Sequence, residues 1–142
     1  MTTLPKTIQL DELADIIAEK FKGREAITCY VGSNAATPTA ALEALTRALK
    51  SRSPALPFLK MVHLLLQGPV PYVEEGLQDR VMAYSMFSGD AVRHAANKGL
   101  AFYLPCTLAN IESLINKGCK YQPEVVIMKV SQHPHTGEYS LG

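Results

Sequence analysis

Cysteine is scarce in this sequence: Cys29, Cys106 and Cys119 are the three in a chain of 142 residues. An odd number without paired spacing excludes a disulfide framework and argues against a zinc site, so a reducing compartment, the cytoplasm, is expected. Long apolar runs are missing as well. No window approaches the roughly 18 uninterrupted apolar residues of a membrane span, and residues 1–9 lack the basic end and apolar stretch of a secretory signal. Nor does either sign of charge dominate: 14 Lys and Arg against 13 Asp and Glu leave a net charge of +1. That balance gives no electrostatic basis for nucleic acid or an anionic membrane as a partner. What is present, 47% hydrophobic and 19% charged residues, is the composition of one soluble globular domain over residues 1–142.

Periodicity supplies the elements. Leu10, Leu13, Ile16, Ile17 and Phe21 recur at helical spacing among acidic and basic residues, predicting an amphipathic helix that stops near Gly23. Residues 26–31 (AITCYV) are apolar on both faces and nearly uncharged, as in a strand buried between two layers. Residues 32–34 turn the chain. A second helix follows, with Thr37 as its N-cap, Pro38 at its first position and Ala41, Leu42, Leu45 and Leu49 as its buried stripe. Further strands are expected at residues 60–66, 81–86, 101–104 and 124–130. Helices are expected at 90–97, ended by Lys98 and Gly99, and at 107–116, while 70–80 reads as a surface loop. This alternation predicts an α/β domain: an open, mostly parallel sheet with helices on both faces and right-handed crossovers.

Ligands of such sheets sit at the carboxyl ends of the strands. The turns at residues 32–38, 87–90 and 105–107 are therefore the candidates, and the first is the most informative. There a buried strand runs through Gly32, Ser33, Asn34 and Ala35 into a helix whose free N–H groups and dipole suit a phosphate, a carboxylate or a developing oxyanion. An ordinary tight βα turn is the competing interpretation. Neither a Walker loop nor a dinucleotide fingerprint fits, since no Gly-Lys-Ser/Thr and no three spaced glycines occur. Among the histidines, His63 lies in an apolar strand as a hydrogen-bonded core residue, His94 lacks a partner at ligand spacing, and His133 and His135 lack a third ligand. No metal is expected. Glu74 and Glu75 are the candidate carboxylate nucleophiles, set against a simpler role as a solvated acidic pair.

Five segments in register resemble one family, the acetyl-CoA hydrolases and the 4-hydroxybutyrate and butyryl-CoA:acetate CoA-transferases. They are GSNAATP at residues 32–38, HLLLQGPVPY at 63–72, DAVRHAANKG at 90–99, AFYLP at 101–105 and VSQHPHTGEYSLG at 130–142. The resemblance covers nearly the whole chain and corresponds to the family's N-terminal domain. It implies a sheet of the NagB/RpiA/CoA-transferase-like kind, coenzyme A as a substrate with no covalently bound cofactor, and an acyl-CoA and a small carboxylate such as acetate as partners. It also implies a second, C-terminal domain or subunit that carries the nucleophile, a glutamate that forms a glutamyl-CoA thioester. By the same resemblance Gly32, Ser33, Asn34, Ala35 and Pro38 help form the acyl, oxyanion or CoA-binding side of the site, and no catalytic residue is assigned within residues 1–142. Cys106 departs from the bulky apolar residue that relatives often carry after the AFYLP strand, and is expected to be a buried small residue.

Two other functions compete with this one. A catalytically inert binding or regulatory module could keep the same fold. A sugar-phosphate isomerase would need an acid–base pair near Gly32, and the sequence offers none there. An N-terminal half separated from its partner domain is expected to expose an apolar patch and to self-associate as a two-fold dimer.

Overall fold

A computed structural model describes residues 6–140. The last two residues of the VSQHPHTGEYSLG segment, Leu141 and Gly142, therefore lie outside the described residues. Five parallel strands form the main sheet: β1 (Ala26–Val31), β2 (Phe58–His63), β3 (Val81–Ser85), β4 (Ala101–Tyr103) and β5 (Val125–Ile127), in the order β4-β3-β2-β1-β5. The helices are α1 (Leu13–Lys20), α2 (Thr39–Ser51), α3 (Asp90–Asn97) and α4 (Ile111–Ile115). A two-stranded hairpin, β6 (Ser131–Gln132) with β7 (Tyr139–Ser140), stands apart from the sheet.

Side chains of a strand alternate between faces, and the two faces collect different helices. Ile27, Cys29 and Val31 of β1, with Leu59, Met61, Val81 and Ala83, pack in one cluster with Ala14 and Ile17 of α1, Leu42, Leu45 and Leu49 of α2, and Val92 and Ala95 of α3. Val62, Tyr84 and Tyr30, on the other face, join the buried Met86 and Tyr121 and the half-buried Ile111, Leu114 and Ile115 of α4. Cys106, expected to be buried, is half-buried at the edge of this cluster because it lies in the loop after β4. Helices therefore cover both faces, as the alternation required. The chain steps from β1 to β4 in one direction and returns to the far side of β1 for β5. A single crossover hand then places α2 and α3 on one face and α4 on the other, as observed.

Several boundaries move. The expected helix at 10–21 opens with a 3-10 turn, Leu10–Glu12, before α1, and that at 107–116 with Leu108–Asn110 before α4. The apolar run at 60–66 is strand as far as His63; Leu64 to Leu66 then leave the sheet, with Leu66 buried as part of the loop that covers the core. The strand expected at 124–130 shortens to Val125–Ile127, because pairing passes from strand to loop beyond it. Thr37 is not the cap of α2. Pro38 holds the N-cap position and the helix starts at Thr39, while the Thr37 hydroxyl donates to the Asn34 carbonyl at 2.7 Å.

Candidate functional site

The strand order reverses between β1 and β5, and in open α/β sheets a ligand crevice forms at that switch point. Here the crevice floor is closed by the protein itself. The N–H of Gly32 donates to the Ile127 carbonyl at 2.8 Å, and the N–H of Lys129 donates to the Ala36 carbonyl at 2.9 Å. A Cβ built on Gly32 would lie 2.6 Å from the Ala36 oxygen and 2.7 Å from Cβ of Met128. The glycine thus admits the protein's own backbone.

Beside this closure lies a cleft of about 490 Å³ at the start of α2. Its walls include Leu10, Pro38, Ala41 and Met128, with Thr37, Thr39 and Lys129 as polar members. The first helical N–H to find an acceptor is that of Leu42, on the Pro38 carbonyl at 3.0 Å. The N–H groups of Thr39, Ala40 and Ala41 take none among the described residues. Orphan donors, the positive end of a 13-residue helix and a lysine form a mostly apolar cleft with one electropositive end.

Of the sequence-derived site residues, Pro38 lines this cleft, whereas Gly32, Ser33, Asn34 and Ala35 form its neighbouring loop. Asn34 sits at φ 51, a left-handed conformation that asparagine tolerates better than most residues. Its N–H is held by the Leu65 carbonyl at 2.8 Å. The side-chain amide of Asn34 and the N–H of Ala35, both on exposed residues, have no acceptor among the described residues. Ser33 Oγ accepts the Leu64 N–H at 3.1 Å. It also lies against the Tyr30 phenol, whose pKa burial raises and the Ser33 contact pulls back. No local signal in the sequence marks Met128 and Lys129, because their place beside Pro38 depends on β5 pairing with β1.

Other candidates are placed elsewhere. His63 is fully buried at the end of β2, where desolvation pushes its pKa down to about 4, so the ring is neutral at pH 7. Its Nδ1 lies 3.3 Å from the Leu64 carbonyl and its Nε2 has no partner among the described residues. Glu74 and Glu75 form exposed ion pairs with Lys50 and Lys98, as a solvated pair would. Among the described residues no three His, Cys, Asp or Glu side chains converge on a metal-sized site. None of the helices among them is long and apolar enough to cross a membrane.

No protein-family model matches the chain. Over 84 residues, 59% of this chain, it is 32% identical to 4-hydroxybutyrate coenzyme A transferase of Clostridium kluyveri; the aligned part is 19% of that protein. Two solved structures of RipA, one a mutant form and one from Yersinia pestis, superpose with a TM-score of 0.69 over 95% of this chain at 19% identity. The chain spans about a third of those structures (33% and 34%), and the likeness shows a shared fold. The partial sequence match supports kinship with a coenzyme A transferase-like family.

Proposed function

We propose that this chain is the N-terminal half of a CoA-transferase or acyl-CoA hydrolase that moves CoA between a short acyl-CoA and a carboxylate such as acetate. The observation that carries the reading is the 84-residue match to a 4-hydroxybutyrate coenzyme A transferase, on a chain with an electropositive cleft at its switch point. In this reading Lys129 and the first turn of α2 hold an anionic group of the substrate. The Ala35 N–H and the Asn34 amide stand where a thioester oxygen could gain negative charge. The nucleophile is a glutamate outside these residues, on a C-terminal domain or subunit, which takes up CoA as a glutamyl-CoA thioester. Three unpaired thiols suit a cytoplasmic setting.

The test is acyl-CoA turnover by this chain with acetate as acceptor and water as control, before and after a C-terminal CoA-transferase domain is supplied. Silence alone and activity with the added domain are expected. Turnover by the chain alone would place a nucleophile within it and overturn the division of labour. A second reading, an inert binding module with the same fold, shares this cleft, lined by no Asp or Glu, and differs from the first in the assay alone. Acyl-CoA binding with silence in both assays would select it.

We also propose a two-fold homodimer. Phe102 and Val126, each 53% exposed, project from the same sheet face at its opposite edges, leaving apolar surface that α4 does not cover. Sedimentation as a monomer throughout the micromolar range would refute it.

A further inference from the structure

Parallel pairing of β1 with β2 ends at Val31 and His63, because the chain must leave β1 to start α2. Two backbone donors just past this point, the N–H groups of Leu64 and Gln67, would then lack acceptors in partly buried surroundings. An unmade hydrogen bond there costs on the order of 1–3 kcal/mol. Side-chain hydroxyls supply what the ladder no longer can. Ser33 Oγ accepts from Leu64 N–H at 3.1 Å, and Thr37 Oγ1 accepts from Gln67 N–H at 3.1 Å. Between them the Asn34 N–H donates to the Leu65 carbonyl at 2.8 Å. The contacts run 33 to 64, 34 to 65 and 37 to 67, the middle one between backbone groups and the outer two with a hydroxyl as acceptor, so the two segments stay side by side beyond the end of the ladder.

The hydroxyl of Thr37 has a fixed polarity. Its one hydrogen goes to the Asn34 carbonyl at 2.7 Å, so its lone pairs remain for Gln67. Thr37 is 7% exposed, and both of its bonds lie in partly buried surroundings. On the other flank Leu64 is gripped again. Its carbonyl accepts from the Phe87 N–H at 3.3 Å, and the buried Ser85 hydroxyl sits between that carbonyl, at 3.3 Å, and the Phe87 carbonyl, at 3.0 Å, donating its one hydrogen to one of them at a time. The tie therefore extends from the loop after β1 through residues 64–67 to the segment after β3.

We propose that Ser33 and Thr37 are positioning residues. Their hydroxyls splice the loop after β1 to the segment after β2, so that the rim carrying the free donors of Asn34 and Ala35 behaves as one rigid body. The inference concerns the rim itself and holds whatever ligand the cleft takes.

Amide hydrogen exchange, followed by NMR on the unliganded chain, tests it. Thr37→Val keeps the shape and removes the hydroxyl. The Gln67 amide should then exchange faster, and so should the amides of Asn34 and Leu64, whose own partners are untouched, each by about tenfold, as loss of roughly one hydrogen bond predicts. Exchange at Met61 and Ala83 within the sheet serves as the reference for global opening. Thr37→Ser should restore all three amides. Ser33→Ala approaches from the other end and should speed Gln67. The proposal fails if each variant affects only the amide it directly frees, or if Thr37→Ser does not rescue. It also fails if the rim amides never exceed the reference change.

Discussion

Replacing Gly32 with alanine separates two explanations for a glycine at the end of β1. If the glycine lets a ligand approach the backbone, Gly32→Ala should impair binding and leave stability alone. The structure requires the opposite. The new Cβ would sit 2.6 Å from the Ala36 oxygen and 2.7 Å from Met128 Cβ, with Met128 Cα at 3.1 Å. None of these atoms is the end of a flexible side chain, so backbone must move. Overpacking of this kind costs about 1–3 kcal/mol. The displacement also strains, without breaking, the Gly32–Ile127 and Lys129–Ala36 hydrogen bonds, which together lose about 1 kcal/mol. The total is roughly 2–4 kcal/mol, a drop in Tm of about 6–14 °C for a domain of this size. Urea or thermal unfolding by circular dichroism measures it. Met128→Ala should not rescue the variant, since it keeps the clashing Cβ, whereas Met128→Gly should recover part of the loss. A Gly32→Ala variant within about 0.5 kcal/mol of the parent would refute the reasoning, because a surface substitution costs no more than that.

Further outcomes follow from the same geometry. His63 is neutral in the folded protein down to about pH 4, whereas in the unfolded chain it binds a proton below the ordinary histidine value of 6.5. Stability is therefore full above pH 6.5 and falls as the pH drops toward 4, by an amount on the order of 3 kcal/mol. His63→Leu should flatten that part of the pH profile in urea melts, and an unchanged slope would discard His63 as its source. The Cys29 thiol is pushed up to about 12, by burial first and the nearby Glu124 charge second. A thiol reagent at pH 8 should thus label Cys106 and Cys119 in the native chain and Cys29 only after unfolding, as read by mass spectrometry. Equal labelling of all three would contradict the burial. Lys129→Gln should weaken acetyl-CoA binding about tenfold by calorimetry, and an unchanged affinity would remove the cleft as the anion site.

What the sequence reveals and what it hides divide along the range of the interactions involved. β1 at Ala26–Val31 and α3 at Asp90–Asn97 were legible to the residue, because a doubly apolar run and a capped amphipathic stretch are local signals. β2 was not. Leu64 and Leu66 continue the apolar run for a different reason, the packing of a loop onto the core, while Leu65 between them is exposed, and apolarity does not distinguish these uses. The GSNAATP loop was legible as a candidate site, but its residues carry several unlike demands that one motif cannot separate. Gly32 makes room for Met128, Asn34 adopts a left-handed backbone, and Ser33 and Thr37 satisfy amides some 30 positions away. Lys129 was invisible for a related reason: it joins the cleft because the strand order reverses at β1, a property of the whole topology and of no short segment. A motif at a switch point thus identifies the place where a ligand could sit, while the groups that would touch it arrive from strands distant in sequence. Here most of the motif's polar atoms are committed to holding the rim. Among the described residues around this cleft, the groups left free include the Asn34 side-chain amide, the Ala35 N–H and the first N–H groups of α2, with Lys129 beside them, and the proposed ligand chemistry rests on these.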